Sequence, residues 1–160
     1  MQFKVISGGQ TGIDILGVTL ARDKGIETGG TIGYVNNQYV IEYDDGIDRD
    51  AFNFHKVPCT YYPYRTEQNV INSDGTVYFT TKADGPGYWC TKKNAEKHKK
   101  PFLVNPEDSA VLLKFIKEHN IHVLNIAGNR GSRLSQESLR QAALILTETF
   151  DKIANKGDRD

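Results

Sequence analysis

Three glycine-rich turns hold the residues of this sequence best suited to chemistry, and each stands between a strand-like run and a helix-like one. The first, Ser7-Gly8-Gly9-Gln10-Thr11-Gly12, follows Phe3-Lys4-Val5-Ile6. Glycine lets backbone approach a ligand closely, while Gln10 and Thr11 add side-chain donors where a helix begins. Amide N–H groups at such a helix start, with the positive end of its dipole, favour an anion such as a phosphate. Glycines needed only for a tight strand-to-helix turn are the competing reading.

The second turn, Ala83-Asp84-Gly85-Pro86-Gly87-Tyr88-Trp89-Cys90-Thr91, places Thr91 as a helix cap or phosphate donor. Tyr88 and Trp89 offer faces on which a base or pterin ring could stack; core or oligomer contacts would use them equally well. In the third turn, Gly128-Asn129-Arg130-Gly131-Ser132-Arg133, two arginines among small residues suit a second phosphate or a carboxylate. A solvated helix start explains the same residues without a ligand. Arg65, in Tyr64-Arg65-Thr66-Glu67-Gln68-Asn69, is a further phosphate candidate, with Glu67 or Asp74 as its structural alternatives.

Other chemistry finds little support. His55, His98, His119 and His122 are scattered, and no HExxH, no GxSxG and no CxxC occurs. Cys59 and Cys90 have no histidine in metal-ligand register, so no metal site is expected and both read as free thiols. Asp14, Asp44, Asp45, Asp48 and Asp50 are acids that spacing alone does not pair. No catalytic residue is assigned. Lysines 92, 93, 97, 99 and 100 read as a solvated helix face.

The elements that must position these turns alternate strand and helix. Residues 3–7 and a helix from Ile13 to Lys24-Gly25 form the opening unit. Strands are expected at residues 76–80, 102–105 and 122–127, and a short helix at residues 64–69. Helices are expected over residues 91–99, from Pro106 to His119-Asn120, and over residues 134–153. This alternation predicts an α/β fold, a single Rossmann-like, doubly wound, mostly parallel sheet with helices on both faces. Its glycine turns would gather at the carboxyl edge, where ligands of such folds bind. Between residues 29 and 64 periodicity fails among glycines, acids and aromatics, and a long loop is expected there, functional or partly ordered by its own side chains.

Length and composition set the frame. The 160 residues suffice for one core, and the expectation is a single domain over residues 1–154 with a frayed tail over 155–160. The net charge of zero argues against nucleic acid as a partner. No apolar run has the length of a membrane span, and the immediate first strand leaves no room for a signal peptide. A cytoplasmic protein with no membrane partner is expected.

Several stretches, in order along nearly the whole chain, carry a resemblance: residues 6–14, Gly25-Ile26-Glu27-Thr28-Gly29-Gly30, residues 64–70 with Ser73-Asp74-Gly75-Thr76, residues 95–101, and Val123-Leu124-Asn125-Ile126-Ala127-Gly128. Together they resemble the molybdenum carrier family, related to the LONELY GUY phosphoribohydrolases within the SLOG group of Rossmann-like domains. The resemblance implies a phosphate-bearing ligand at the strand ends and a homo-oligomer. In the hydrolases, Pro-Gly-Gly-x-Gly-Thr-x-x-Glu precedes the third helix; here Asn94 stands three residues after Thr91, where that glutamate would be. Residues 34–62 also differ from the usual family run.

The expected function is therefore non-catalytic binding or sequestration of a small phosphorylated nucleotide-type ligand. That ligand would be an ADP-ribose derivative, a nucleotide or molybdopterin, and the role a carrier, sensor or sponge with no resident cofactor. Its site would draw on Gly8, Gly9, Gln10, Thr11, Gly12, Arg65, Gly87, Tyr88, Trp89, Thr91, Gly128, Asn129, Arg130, Ser132 and Arg133. A phosphoribohydrolase-type enzyme and a protein-interaction module built on the aromatic loop are the alternatives.

Overall fold

The computed structural model describes residues 2–157. Strand β1 (Lys4–Ile6) leads through the first glycine turn into α1 (Ile13–Asp23) and then β2 (Glu27–Gly29). After an inserted segment come α2 (Tyr62–Ile71), β6 (Gly75–Phe79), α3 (Pro86–Lys97), β7 (Phe102–Val104), α4 (Ser109–Glu118), β8 (Val123–Gly128) and α5 (Gln136–Gly157). The inserted segment holds β3 (Thr31–Val35), β4 (Gln38–Tyr39) and β5 (His55–Val57). The main sheet runs β2-β1-β8-β6-β7, with every pair parallel. This is the expected α/β architecture.

Burial explains the layering. All five residues of β6 are buried, as a strand covered on both faces requires. Tyr78 points toward α3, where its ring meets Tyr88 at 5.4 Å between centroids. A side chain on neighbouring Gly75, conversely, would run into Ile121 and Phe115 of the α4 side. On that second side α1, α4 and α5 pack together, while α2 and α3 pair with each other. Ala142, Ile145, Leu146 and Phe150 recur at helical spacing and are buried, which anchors α5 against Val5, Val18 and Leu124. Each such large side chain contributes about 1.5–3 kcal/mol through burial.

Several boundaries differ from the sequence reading, for local reasons. Helix α3 starts at Pro86, with Gly85 as N-cap at φ 91°, so residues 87–91 belong to the helix and not to the turn before it. Helix α2 starts two residues early, with Pro63 in its first turn. Pro106 does not open α4; Asp108 does, its carboxylate accepting from the Val111 amide at 2.9 Å. Helix α5 runs to Gly157, past the expected fraying point at Asn155, and residues 158–160 lie outside the described residues.

The largest difference is the segment expected to be a long loop. Strand β3 pairs antiparallel with β4 and parallel with β5, making a second small sheet. Asn36 and Asn37 turn the hairpin with φ of 52° and 61°, the left-handed pair that a two-residue hairpin demands. The junction to the main sheet is tight. Gly30 has φ 126°, and a Cβ there would sit 1.9 Å from the Ser7 carbonyl oxygen. The Asn69 side chain of α2 fixes the new strand by accepting from the Thr31 amide at 2.8 Å and donating to its carbonyl at 3.1 Å.

Candidate functional site

A cavity of about 360 Å³ opens at the carboxyl edge of the sheet, on the α2–α3 side. Alternation along the strands decides what it sees. Asn125 and Ala127 of β8 face it, whereas Leu124 and Ile126 face the α1 side and are fully buried. Tyr78 of β6 joins them, and Gly8, Gln10 and Asp14 enter from the end of β1 and the start of α1. Helix α2 contributes Tyr62, Arg65, Thr66 and Asn69; α3 and its approach contribute residues 84–88 and Thr91. The third turn supplies Gly128, Asn129, Arg130 and Arg133. The position is the crevice outside the strand ends, beside the point where the chain crosses from one half of the sheet to the other.

Of the residues singled out in sequence, Gly8, Gln10, Arg65, Gly87, Tyr88, Thr91, Gly128, Asn129, Arg130 and Arg133 line this cavity, whereas Gly9, Thr11, Gly12, Trp89 and Ser132 do not. The latter have visible structural duties. Gly9 leaves room for Ile32 and Phe54. At Gly12, the N-cap of α1 with φ 86°, a Cβ would lie 2.5 Å from the Asn129 carbonyl oxygen. Trp89 is exposed on the far side of Tyr88, its ring 5.2 Å from the tyrosine ring.

Thr11 and Ser132 serve a carboxylate from the inserted segment. Glu42 accepts from the Thr11 hydroxyl at 2.9 Å, from the Ser132 amide at 3.1 Å and from the Ser132 hydroxyl, and pairs with Arg130 Nε at 3.2 Å. Burial raises the Glu42 carboxyl, but these donors outweigh it and hold the group below its ordinary value. Gln10 helps by accepting from the Glu42 amide at 2.7 Å and the Thr11 amide at 2.9 Å. Glu42 thus ties the first glycine turn to the third.

The first turn also uses its own amides internally. Gly9 N–H donates to the Ser7 hydroxyl at 3.2 Å, and Ile13 N–H donates to the Asn129 carbonyl at 3.2 Å. The anion it favours is part of the chain. The Asp14 carboxyl is raised from 3.8 to about 7, chiefly by burial; the Gln10 and Gly8 amides and the Arg65 and Arg49 guanidiniums partly offset this. The residue as a whole is only half-buried, because the cavity wets one edge of it.

Arg49 supports the turn from behind. Its guanidinium is 2% exposed, donates from Nε to the Gly9 carbonyl at 2.7 Å and grips Asp45 with two bonds of 2.7 and 2.6 Å. Most of the aromatic segment likewise packs away from the cavity. Tyr34 meets Tyr39 edge-on with Lys56 over both rings, and Tyr62 alone among its tyrosines lines the cavity.

Two features remain open to a ligand. Helix α3 has no side-chain cap, and Pro86 brings no N–H, so the Gly87 and Tyr88 amides stand at its positive end on the cavity wall. Arg133 Nη1 lies 3.5 Å from where a side chain on Gly85 would begin, and among the described residues Arg133 has no ion pair. Thr91 is buried and donates to the Gly87 carbonyl at 2.9 Å, which ties up its hydroxyl within the helix. The second feature is Arg65, 8% exposed, which pairs with neither Glu67 nor Asp74. Its Nε and the Asn125 Oδ1 are the two buried side-chain polar atoms without a partner among the described residues.

Asn94 lies outside this cavity; its side-chain amide donates to the Cys90 carbonyl at 2.9 Å, one turn back along α3. No three His, Cys, Asp or Glu side chains converge as a metal site among the described residues. No described helix is long and apolar enough to cross a membrane.

Sequence reasoning missed Tyr62, Asn69, Tyr78 and Asn125, and named Asp14 only as a loose acid. Asn125 carried a signal, being the one amide in the apolar run Val123-Leu124-Asn125-Ile126-Ala127. Asn69 stands one helical turn from Arg65 and so shares its face.

Residues 5–150 match the model of the circularly permutated YpsA SLOG family. A crystal structure at 1.45 Å resolution, of a protein from Syntrophus aciditrophicus named "Putative molybdenum carrier protein", is 33% identical. The match covers 93% of this chain and 94% of that one, with a TM-score of 0.78. No curated protein matches the chain. Both similarities agree with the resemblance that the motifs carry.

Proposed function

Because the chain belongs to the circularly permutated YpsA SLOG family, we propose that its cavity binds a small phosphorylated, nucleotide-type ligand and holds it intact. The observation that carries this reading is the start of α3, which has no side-chain cap, beside Arg133, which has no ion pair among the described residues. Backbone amides, a helix dipole and a guanidinium make a phosphate site of ordinary chemistry. Tyr88 and Tyr62 bring aromatic side chains to the lining of the same cavity. Its volume of about 360 Å³ falls within the range of small-molecule sites, ~300–1,000 Å³. The phosphate thus goes to the second glycine turn with help from the third, while the first turn supports Asp14. The name of the Syntrophus protein fits a molybdopterin as one such ligand, since that cofactor also joins a phosphate to a ring system.

Holding is favoured over cutting by Asn94, which brings no carboxylate and spends its side-chain amide on the Cys90 carbonyl outside the cavity lining. Cleavage of the same ligand is the second reading. Its supporting observation is Asp14, a cavity carboxyl that at about 7 is poised to give or take a proton near neutrality. Mass spectrometry of the natively purified protein after denaturation tests both. Release of an intact phosphorylated compound, with binding weakened about tenfold or more by Arg133→Ala, supports holding. Conversion of compounds in an incubated nucleotide panel, abolished by Asp14→Asn, would turn the reading to hydrolysis. If nucleotides, ADP-ribose derivatives and molybdopterin all fail to bind, the proposal falls.

A further inference from the structure

Arg65 and Asn125, the residues that carry the two orphaned atoms Nε and Oδ1, line the same cavity as Asp14, on the side formed by the sheet and α2. Both residues are more than nine-tenths buried, Arg65 at 8% and Asn125 at 2% exposure. Folded proteins seldom leave such atoms bare, because each unmet donor or acceptor sacrifices its interaction with water. The other end of the Asn125 amide is fixed, donating to the Thr76 hydroxyl at 3.1 Å, which leaves Oδ1 as the free end.

What these atoms ask of a ligand is specific. Asn125 Oδ1 only accepts, Arg65 Nε only donates, and the Asp14 carboxyl keeps an accepting oxygen whether or not it carries its proton. A phosphate group brings acceptors alone and leaves Asn125 Oδ1 unmet. An apolar ring edge meets none of the three. A pair of neighbouring hydroxyls meets all of them, since each hydroxyl donates once and still accepts.

We infer that this inner wall is a vicinal-diol subsite of the ribose type, with Asp14 and Asn125 accepting from the two hydroxyls and Arg65 Nε donating to them. The inference rests on the reading of the cavity as a site for a phosphorylated ligand. It adds that the sugar is gripped by its hydroxyls while the phosphate lies at the start of α3. Discrimination against deoxy analogues then comes from leaving buried polar atoms unpaired, the strongest basis a site has for rejecting a near-isostere.

Isothermal titration calorimetry with AMP, 2′-deoxy-AMP, 2′,3′-dideoxy-AMP and ribose 5-phosphate tests this on the full chain. AMP and ribose 5-phosphate should bind, and each lost hydroxyl should weaken binding by about tenfold or more. In Asn125→Ala, with folding checked by circular dichroism, the preference for AMP over the deoxy compounds should shrink. The ligand-side comparison stands even if that variant does not fold. Equal binding of AMP and 2′,3′-dideoxy-AMP overturns the diol subsite and leaves the phosphate site standing. Failure of every phosphorylated probe to bind overturns both.

Discussion

Replacing Asp14 by asparagine should change how the stability of the protein depends on pH. In the unfolded chain the carboxyl titrates near its ordinary 3.8, whereas the folded protein holds its proton until about 7. Between these values the folded state binds more protons than the unfolded one. Stability contributed by this group is therefore present at low pH, falls as pH rises from 3.8 toward 7, and is level above. The full displacement corresponds to about 4 kcal/mol, an upper limit because the cavity wets one edge of the carboxyl. Asparagine has no proton to lose. Urea unfolding of both proteins at about pH 4.5 and about pH 7.5 should show the variant gaining up to about 3 kcal/mol relative to the parent over that interval. Histidines and other carboxyls titrate alike in both and cancel in the comparison. A stability difference that stays constant across the interval would refute the argument that burial holds the Asp14 proton.

Two further outcomes follow from the support behind the site. Arg49→Met strands the Asp45 carboxylate and frees the Gly9 carbonyl, so chemical denaturation should register a loss of about 3–5 kcal/mol; a loss below about 1 kcal/mol would place the pair in solvent. Gly30→Ala drives a methyl group into the Ser7 carbonyl at a φ of 126°, and should lower stability by about 3 kcal/mol or more. At this chain length that is about 10 °C in Tm. An unchanged melting temperature would contradict the close approach of the two backbones.

Four of the five strands of the main sheet were legible because their signals are local, whereas the three-residue edge strand β2 was not. Helix α5 announces itself through Ala142, Ile145, Leu146 and Phe150, and β8 through a short apolar run leading to Gly128. The second sheet was not, because its strands are two to five residues long and are held from far away. Asn69 reaches Thr31 across 38 positions and Arg49 reaches Gly9 across 40, so no window of sequence contains both partners. The one local cue was Asn36-Asn37 between Tyr34-Val35 and Gln38-Tyr39, an αL pair flanked by strand formers. At the site, the glycine turns were found but the destination of their amides was not. Whether such an amide faces a ligand or the chain's own carboxylate depends on where Asp14 and Glu42 arrive, which tertiary packing decides.

The position of Trp89 gives the protein an optical property. It is the single tryptophan of the sequence, and its ring stands 5.2 Å from that of Tyr88, whose body lines the cavity. Excitation near the red edge of protein absorption selects this one indole from the surrounding tyrosines. Its emission reports the Tyr88 wall from outside, so occupancy of the cavity can be followed by intrinsic fluorescence without attaching a dye.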